Sequence, residues 1–153
     1  MRRRSRKREA ALRGRPAIRS VPEAHERRAR AGAEDLGLQE FVRRLPCVVC
    51  RAPTIGGDPA HRLARRRFGD WIEDTELGVI ANIYPACRAH HREQHDRGRD
   101  TFEANHAVDL RAICVVVGEA YLRGWSAEGL GARARDGYLE VEVEDVQDGG
   151  LPF

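Results

Sequence analysis

The chain has almost no lysine and little methionine. Of its 27 basic residues only Lys7 is Lys, and Met1 is its one Met. Aromatic residues make up 6% of its 153 residues, so any core must be built mainly from aliphatic side chains. Long apolar runs are missing as well. The longest, Ala112 to Val117, falls far short of the roughly 18 residues that span a bilayer, which predicts no membrane partner. The basic N-terminus has no apolar segment behind it, so it does not read as a secretory signal, and the expected location is cytoplasmic. At 17.2 kDa there is room for one domain with tails.

What is present is unevenly distributed. Residues 1–30 hold twelve Lys or Arg against three Glu, a net +9, while residues 31–153 sum to −6. A basic arm on a mildly acidic body points to a polyanionic partner. Residues 1–33 lack apolar periodicity and carry Pro16 and Pro22, so the expectation is a disordered arm. A domain over 34–126 and an extension over 127–153, with an acidic edge strand and tail, complete the chain.

Inside the domain, Leu36, Leu38, Phe41, Val42 and Leu45 predict a short amphipathic helix stopped by Pro46. A tight turn at Cys47–Cys50 leads into a Pro- and Gly-containing loop over 51–60. Residues 62–77 are polar, and Gly78 to Tyr84 reads as a strand. A helix over Arg88–Arg97 should end at Gly98, a second begins at Asp100 or Thr101, and a third runs from Asp109 to about Gly124. Tyr138 to Glu144 alternates like an edge strand. The class is α+β.

Four cysteines in a reducing compartment point to ligands or core residues rather than disulfides. Cys47-x2-Cys50 and Cys87-x2-His90 are ligand pairs separated by 36 residues. The x2 spacing lets a turn aim two side chains at one ion, and two such pairs complete the tetrahedral set of a structural Zn2+. The competing readings are core thiols with His90 capping a helix, or a redox pair at Cys47 and Cys50. The redox pair lacks a βαβ setting. Cys114 lies in the apolar helix and reads as an inert core residue. His91 and His95, four apart, share a helix face and can grip one divalent ion.

The order C-x2-C, a His at a strand end, then Asn82-x4-Cys87-x2-His90-His91 resembles the HNH endonuclease motif and its ββα-metal fold, with His90 in place of the usual last Cys. Leu45-Pro-Cys-Val-Val-Cys50, Pro85-Ala-Cys-Arg-Ala-His-His-Arg-Glu-Gln-His95, and Gly98-Arg-Asp-Thr-Phe102 followed by Val108-Asp-Leu110 are similar to a phage subgroup that includes the RecA-dependent, Ref-like nucleases. The resemblance covers about residues 40–125. It implies a small zinc-stabilised ββα-metal core with flanking helices, and a metal-dependent DNA endonuclease acting in recombination or DNA processing. It implies DNA as partner, with a RecA-type filament as a further one. His61 would be the general base and Asn82 would orient the hairpin and that base. Cys47, Cys50, Cys87 and His90 would hold structural Zn2+, and His91 and His95 a catalytic Mg2+, Mn2+ or Zn2+.

Phosphodiester hydrolysis needs a base near neutral pKa and a cation beside the developing negative charge, so these residue types suit it. Arg62, Arg65, Arg66 and Arg67 follow His61 closely enough to clamp flanking phosphates; the plainer reading is a solvated loop. Ala60 departs from the motif. Many HNH proteins have Asp, Glu or His immediately before the base, and here Asp58 or Asp70 would have to supply the carboxylate. The alternatives are a catalytically degenerate zinc-knuckle nucleic-acid-binding protein, and a zinc-stabilised module that contacts protein through its acidic tail.

Overall fold

The computed structural model describes residues 30–54 and 59–141. Most of the basic arm, Asp58 and the acidic tail lie outside the described residues.

Helix α1 (Leu36–Arg43) begins where the Asp35 carboxylate accepts from the Leu38 amide at 2.9 Å, an N-cap that satisfies one otherwise unpaired donor. It buries Leu38, Phe41 and Val42. Strand β1 (Ala60–His61) follows, then the single-turn helix α2 (Arg65–Phe68), and strands β2 (Trp71–Asp74), β3 (Gly78–Ala81) and β4 (Ile83–Tyr84). β2 pairs antiparallel with β3, placing Trp71 opposite Ala81 and Ile72 opposite Ile80. β1 pairs antiparallel with β4, placing Ala60 opposite Tyr84 and His61 opposite Ile83. The β2–β3 hairpin is thus inserted between the two strands of the second ribbon.

The expected strand over Gly78–Tyr84 is divided at Asn82, which is fully buried and belongs to neither β3 nor β4. β2 was not legible in the polar stretch 62–77. Two adjacent large residues, Trp71 and Ile72, are buried there because the strand is covered on both sides.

Three helices follow: α3 (Arg88–Arg97), α4 (Arg99–His106) and α5 (Leu110–Leu122). Gly98 separates α3 from α4 at φ 79°, in the left-handed region. α5 starts at the Asp109 cap, whose carboxylate accepts from the Ala112 amide at 3.0 Å. It is buried nearly all round and packs against β3, β4 and α1. Leu110, Ile113, Val116, Val117 and Ala120 join Leu38, Val42, Ile83 and Tyr84 in one core. Helix α6 (Ala127–Arg133), capped by Ser126, closes that core with Leu130. Its two glycines, Gly129 and Gly131, hid it from a propensity reading.

The expected edge strand is corrected at its start. Tyr138–Glu140 is a turn of 3-10 helix, and residues 142–144 lie outside the described residues. Tyr138 is drawn inward by burial of its ring and by its Oη donating to the Pro46 carbonyl at 2.6 Å. That contact overrides the alternating pattern. No helix among the described residues is long and apolar enough to cross a membrane.

Candidate metal centre and histidine site

The first knuckle is held by its own backbone. The Cys47 amide donates to the Ala52 carbonyl at 2.8 Å, and the Arg51 amide returns to the Cys47 carbonyl at 3.0 Å. Arg51 stands at φ 62°, an uncommon conformation for a residue with a side chain. Its guanidinium compensates by donating to the Val48 carbonyl at 2.9 Å and lying over the Tyr138 ring. The Val48 amide donates to the Pro85 carbonyl at 3.0 Å, which joins this turn to the second knuckle. Cys87 then N-caps α3, so His90 emerges from that helix's first turn.

The two pairs converge. Cys50 Sγ lies 3.8 Å from Cys87 Sγ, and His90 Nδ1 lies 3.5 Å from Cys47 Sγ and 3.1 Å from Cys87 Sγ. Four donors around one Zn2+, with Zn–S near 2.3 Å and Zn–N near 2.0 Å, stand roughly 3.5–3.8 Å apart, so this set fits a tetrahedral ion. All four donor atoms lie within 4.8 Å of one another. Burial raises the Cys47 thiol pKa, but hydrogen bonds from the backbone at Cys50, Cys87 and Val49 outweigh it and bring the pKa below its ordinary value. Those bonds favour the thiolate that a metal requires. Cys114 has the opposite character. Full burial, the largest cause, pushes its thiol up to about 12, and its Sγ donates to the Ile83 carbonyl.

His61 stands on β1, mostly buried, with Nε2 2.9 Å from Asp70 Oδ1. Asp70 is 1% exposed. Its Oδ2 accepts from the Asp35 amide at 2.8 Å and from Gln39 Nε2 at 2.7 Å. Burial alone would raise the Asp70 pKa, but the bonds from Gln39, Asp35 and His61 win and hold it below the ordinary value. Gly69 makes this placement possible. It has φ 64°, and a Cβ there would come within 2.6 Å of the Gly32 carbonyl oxygen.

Asn82 fastens the segment that joins His61 to Asp70. Its Nδ2 donates to the Leu63 and Gly69 carbonyls at 3.0 and 2.8 Å, and its Oδ1 accepts from the Leu63 amide at 2.9 Å. Its own amide donates to the Asp70 carbonyl and its carbonyl accepts from the Arg62 amide. One amide side chain therefore sets the path from His61 to Asp70.

The other expected site residues divide. His91 and His95 meet on an exposed face of α3, Nε2 to Nε2 at 3.0 Å. Among the described residues, His61 joins neither of them in a three-ligand group. Arg65, Arg66 and Arg67 are exposed on α2; Arg65 pairs with Glu34 at 2.9 Å. Arg62 is half-buried, with its Nε enclosed and lacking a hydrogen-bond partner. Ala60 is fully buried in the core, so no ligand arises from that position. Asp70, named in the sequence as a candidate metal carboxylate, instead has both oxygens engaged by protein donors.

Sequence reasoning missed Gln39 and the role of Asp70 as partner to His61. It also missed Glu93 and His106, which with His90 form a second close group. No protein-family model, curated protein or solved structure matches the chain.

Proposed function

We propose that the protein is a metal-dependent DNA endonuclease of the HNH type, hydrolysing phosphodiester bonds with His61 as general base. The observation that carries this reading is the His61–Asp70 pair. Asp70 occupies Nε2 of His61, and a carboxylate in that place favours the tautomer with the proton on Nε2. Nδ1 is then the basic nitrogen. Such a histidine is built to take a proton.

The order of elements supports the same reading. β1 with His61 pairs with β4, the chain passes Pro85 and Cys87, and α3 follows with His91 and His95. A ββα-metal reading expects strands followed by a helix in that order. The facing Nε2 atoms of His91 and His95, 3.0 Å apart, would offer a divalent ion two imidazole ligands. When bound there, a divalent ion neutralises charge that develops on the phosphate oxygens. Two imidazoles suit Zn2+ better than Mg2+.

His61 Nδ1 accepts a proton from a water as the water oxygen forms a bond to phosphorus. The P–O3′ bond breaks, and the leaving oxygen takes a proton from solvent. Arg65, Arg66 and Arg67 hold the flanking phosphates by charge, without reading sequence. Asp70 and Asn82 keep the imidazole in place. The Cys47–Cys50–Cys87–His90 centre fixes the start of α3, and so the position of His91 and His95.

The buried Ala60 and the engaged oxygens of Asp70, which leave no carboxylate ligand beside His61, favour a second reading: a zinc-stabilised nucleic-acid-binding protein that has lost cleavage. Nicking of supercoiled plasmid by the purified chain with Mg2+, Mn2+ or Zn2+, against an EDTA control, separates the two. Metal-dependent nicking supports the nuclease. DNA binding without nicking under any of the three ions contradicts it.

A further inference from the structure

His90 faces two groups. Its Nδ1 lies against the sulfurs of Cys47 and Cys87, and the ring is enclosed by two aromatic neighbours from α4. The His106 ring meets it edge to face at 85°, with centroids 5.2 Å apart, and Phe102 does so at 70° and 6.4 Å. Phe102 is fully buried and its ring centroid lies 4.8 Å from that of His106, so the three rings form one edge-packed cluster. His106 is itself fixed, with Nε2 3.0 Å from Glu93 Oε2 on α3. Ring nitrogens of His90 and His106 and a Glu93 oxygen lie within 4.8 Å of one another. Arg97 stands 3.8 Å from the other Glu93 oxygen, which holds that carboxylate between α3 and the end of α4.

We propose that His106, held by Glu93, is a positioning residue for the metal ligand His90, locking the imidazole with Nδ1 toward Cys47 and Cys87. A histidine ligand that is free to rotate loses part of its affinity to the ordering of its ring. A packed ring with a carboxylate behind it reduces that loss; hydrogen-bonded outer partners change metal affinity by roughly 10- to 100-fold, and a ring held by packing belongs at the lower end of that range. The geometry also explains why α4 ends at His106. Ala107 turns into the left-handed region at φ 53°, and the Leu110 amide donates to Glu103 Oε1 at 2.8 Å, fixing the corner that carries His106. This inference rests on the four-ligand metal centre.

The test uses the full chain loaded with Zn2+ or Co2+, reading ions per chain, chelator competition and the Co2+ absorption bands. The expected result is one tight ion in the wild type. His106→Ala and Glu93→Ala should keep that ion at affinity lower by about 10-fold. His106→Gln, which can still bond Glu93, should recover part of the loss, and Co2+ bands typical of three thiolates and one nitrogen should persist in all three variants. Unchanged affinity in both His106→Ala and Glu93→Ala overturns the proposal. So does a second tight ion lost in His106→Ala, since the group would then be a metal site of its own. An absence of any tight ion in the wild type, unaltered by Cys87→Ser, overturns the four-ligand centre and the positioning role with it.

Discussion

Asp70 shows how a single side chain is tied to several distant parts of the chain. Its two oxygens accept from Asp35, Gln39 and His61, so the start of α1, a face of α1 and β1 all meet at one carboxylate. Replacing it with Asn keeps the volume but puts an amide where an acceptor is needed by three donors. Asp70→Asn is therefore expected to lower cleavage by at least about 100-fold, as misplacement of a catalytic base does, while leaving metal content unchanged. Equal loss of metal and activity would count against a role confined to His61. The same carboxylate has a pH signature. Its pKa in the folded state lies below the ordinary 3.8, so it stabilises the fold above that value, and the contribution disappears as pH falls through the lower folded value. Acid unfolding followed by circular dichroism should show a smaller loss of stability below pH 4 in Asp70→Asn than in the wild type. The resemblance to the HNH motif implies His61 as the base. It gave no sign that Asp70 would be its partner, because a nine-residue separation acquires meaning only once Gly69 and Asn82 set the path between them.

At the scale of elements, the elements that read most clearly were those with a strong local signal. α1, α3 and α5 follow apolar periodicity or the Pro46, Asp109 and Gly98 boundary residues, and both knuckles follow their x2 spacing. β2, α6 and the turn at Tyr138 were hidden because tertiary contacts decide them: burial of Trp71 and Ile72, closure of the core by Leu130, and the bond from Tyr138 to Pro46. The α2–β2 corner is the element most sensitive to a small change. Gly69→Ala forces a Cβ against the Gly32 carbonyl in a left-handed conformation, which should cost at least about 1–2 kcal/mol. Urea unfolding checks this, and a midpoint equal to that of the wild type would show that the corner is slack. In α5, Leu110→Ala removes a fully buried side chain from the main core and should destabilise by about 2–5 kcal/mol in the same assay.

The whole molecule combines a compact α+β body with charge concentrated at one end of the chain. Residues 1–29 hold eleven Lys or Arg against three Glu, and the body beyond them is acidic. If the arm supplies sequence-independent attraction to DNA, removing residues 1–29 should weaken binding and flatten the dependence of log K on log salt, without altering the metal content. Retention of the full salt slope would move DNA attraction to Arg65, Arg66 and Arg67. The four residues able to hold a metal ion join the turn after α1 to the start of α3, and His61 lies on the β1–β4 ribbon. In the proposed reaction both would be needed, with His61 alone taking part in the proton transfer. The most direct measurement is plasmid nicking by His61→Gly with and without added imidazole, beside the wild-type chain in the same divalent metal. The expected result is nicking by the wild type, near-complete loss in His61→Gly, and partial recovery that rises with imidazole concentration. Undiminished nicking by His61→Gly would contradict the assignment of His61 as the base.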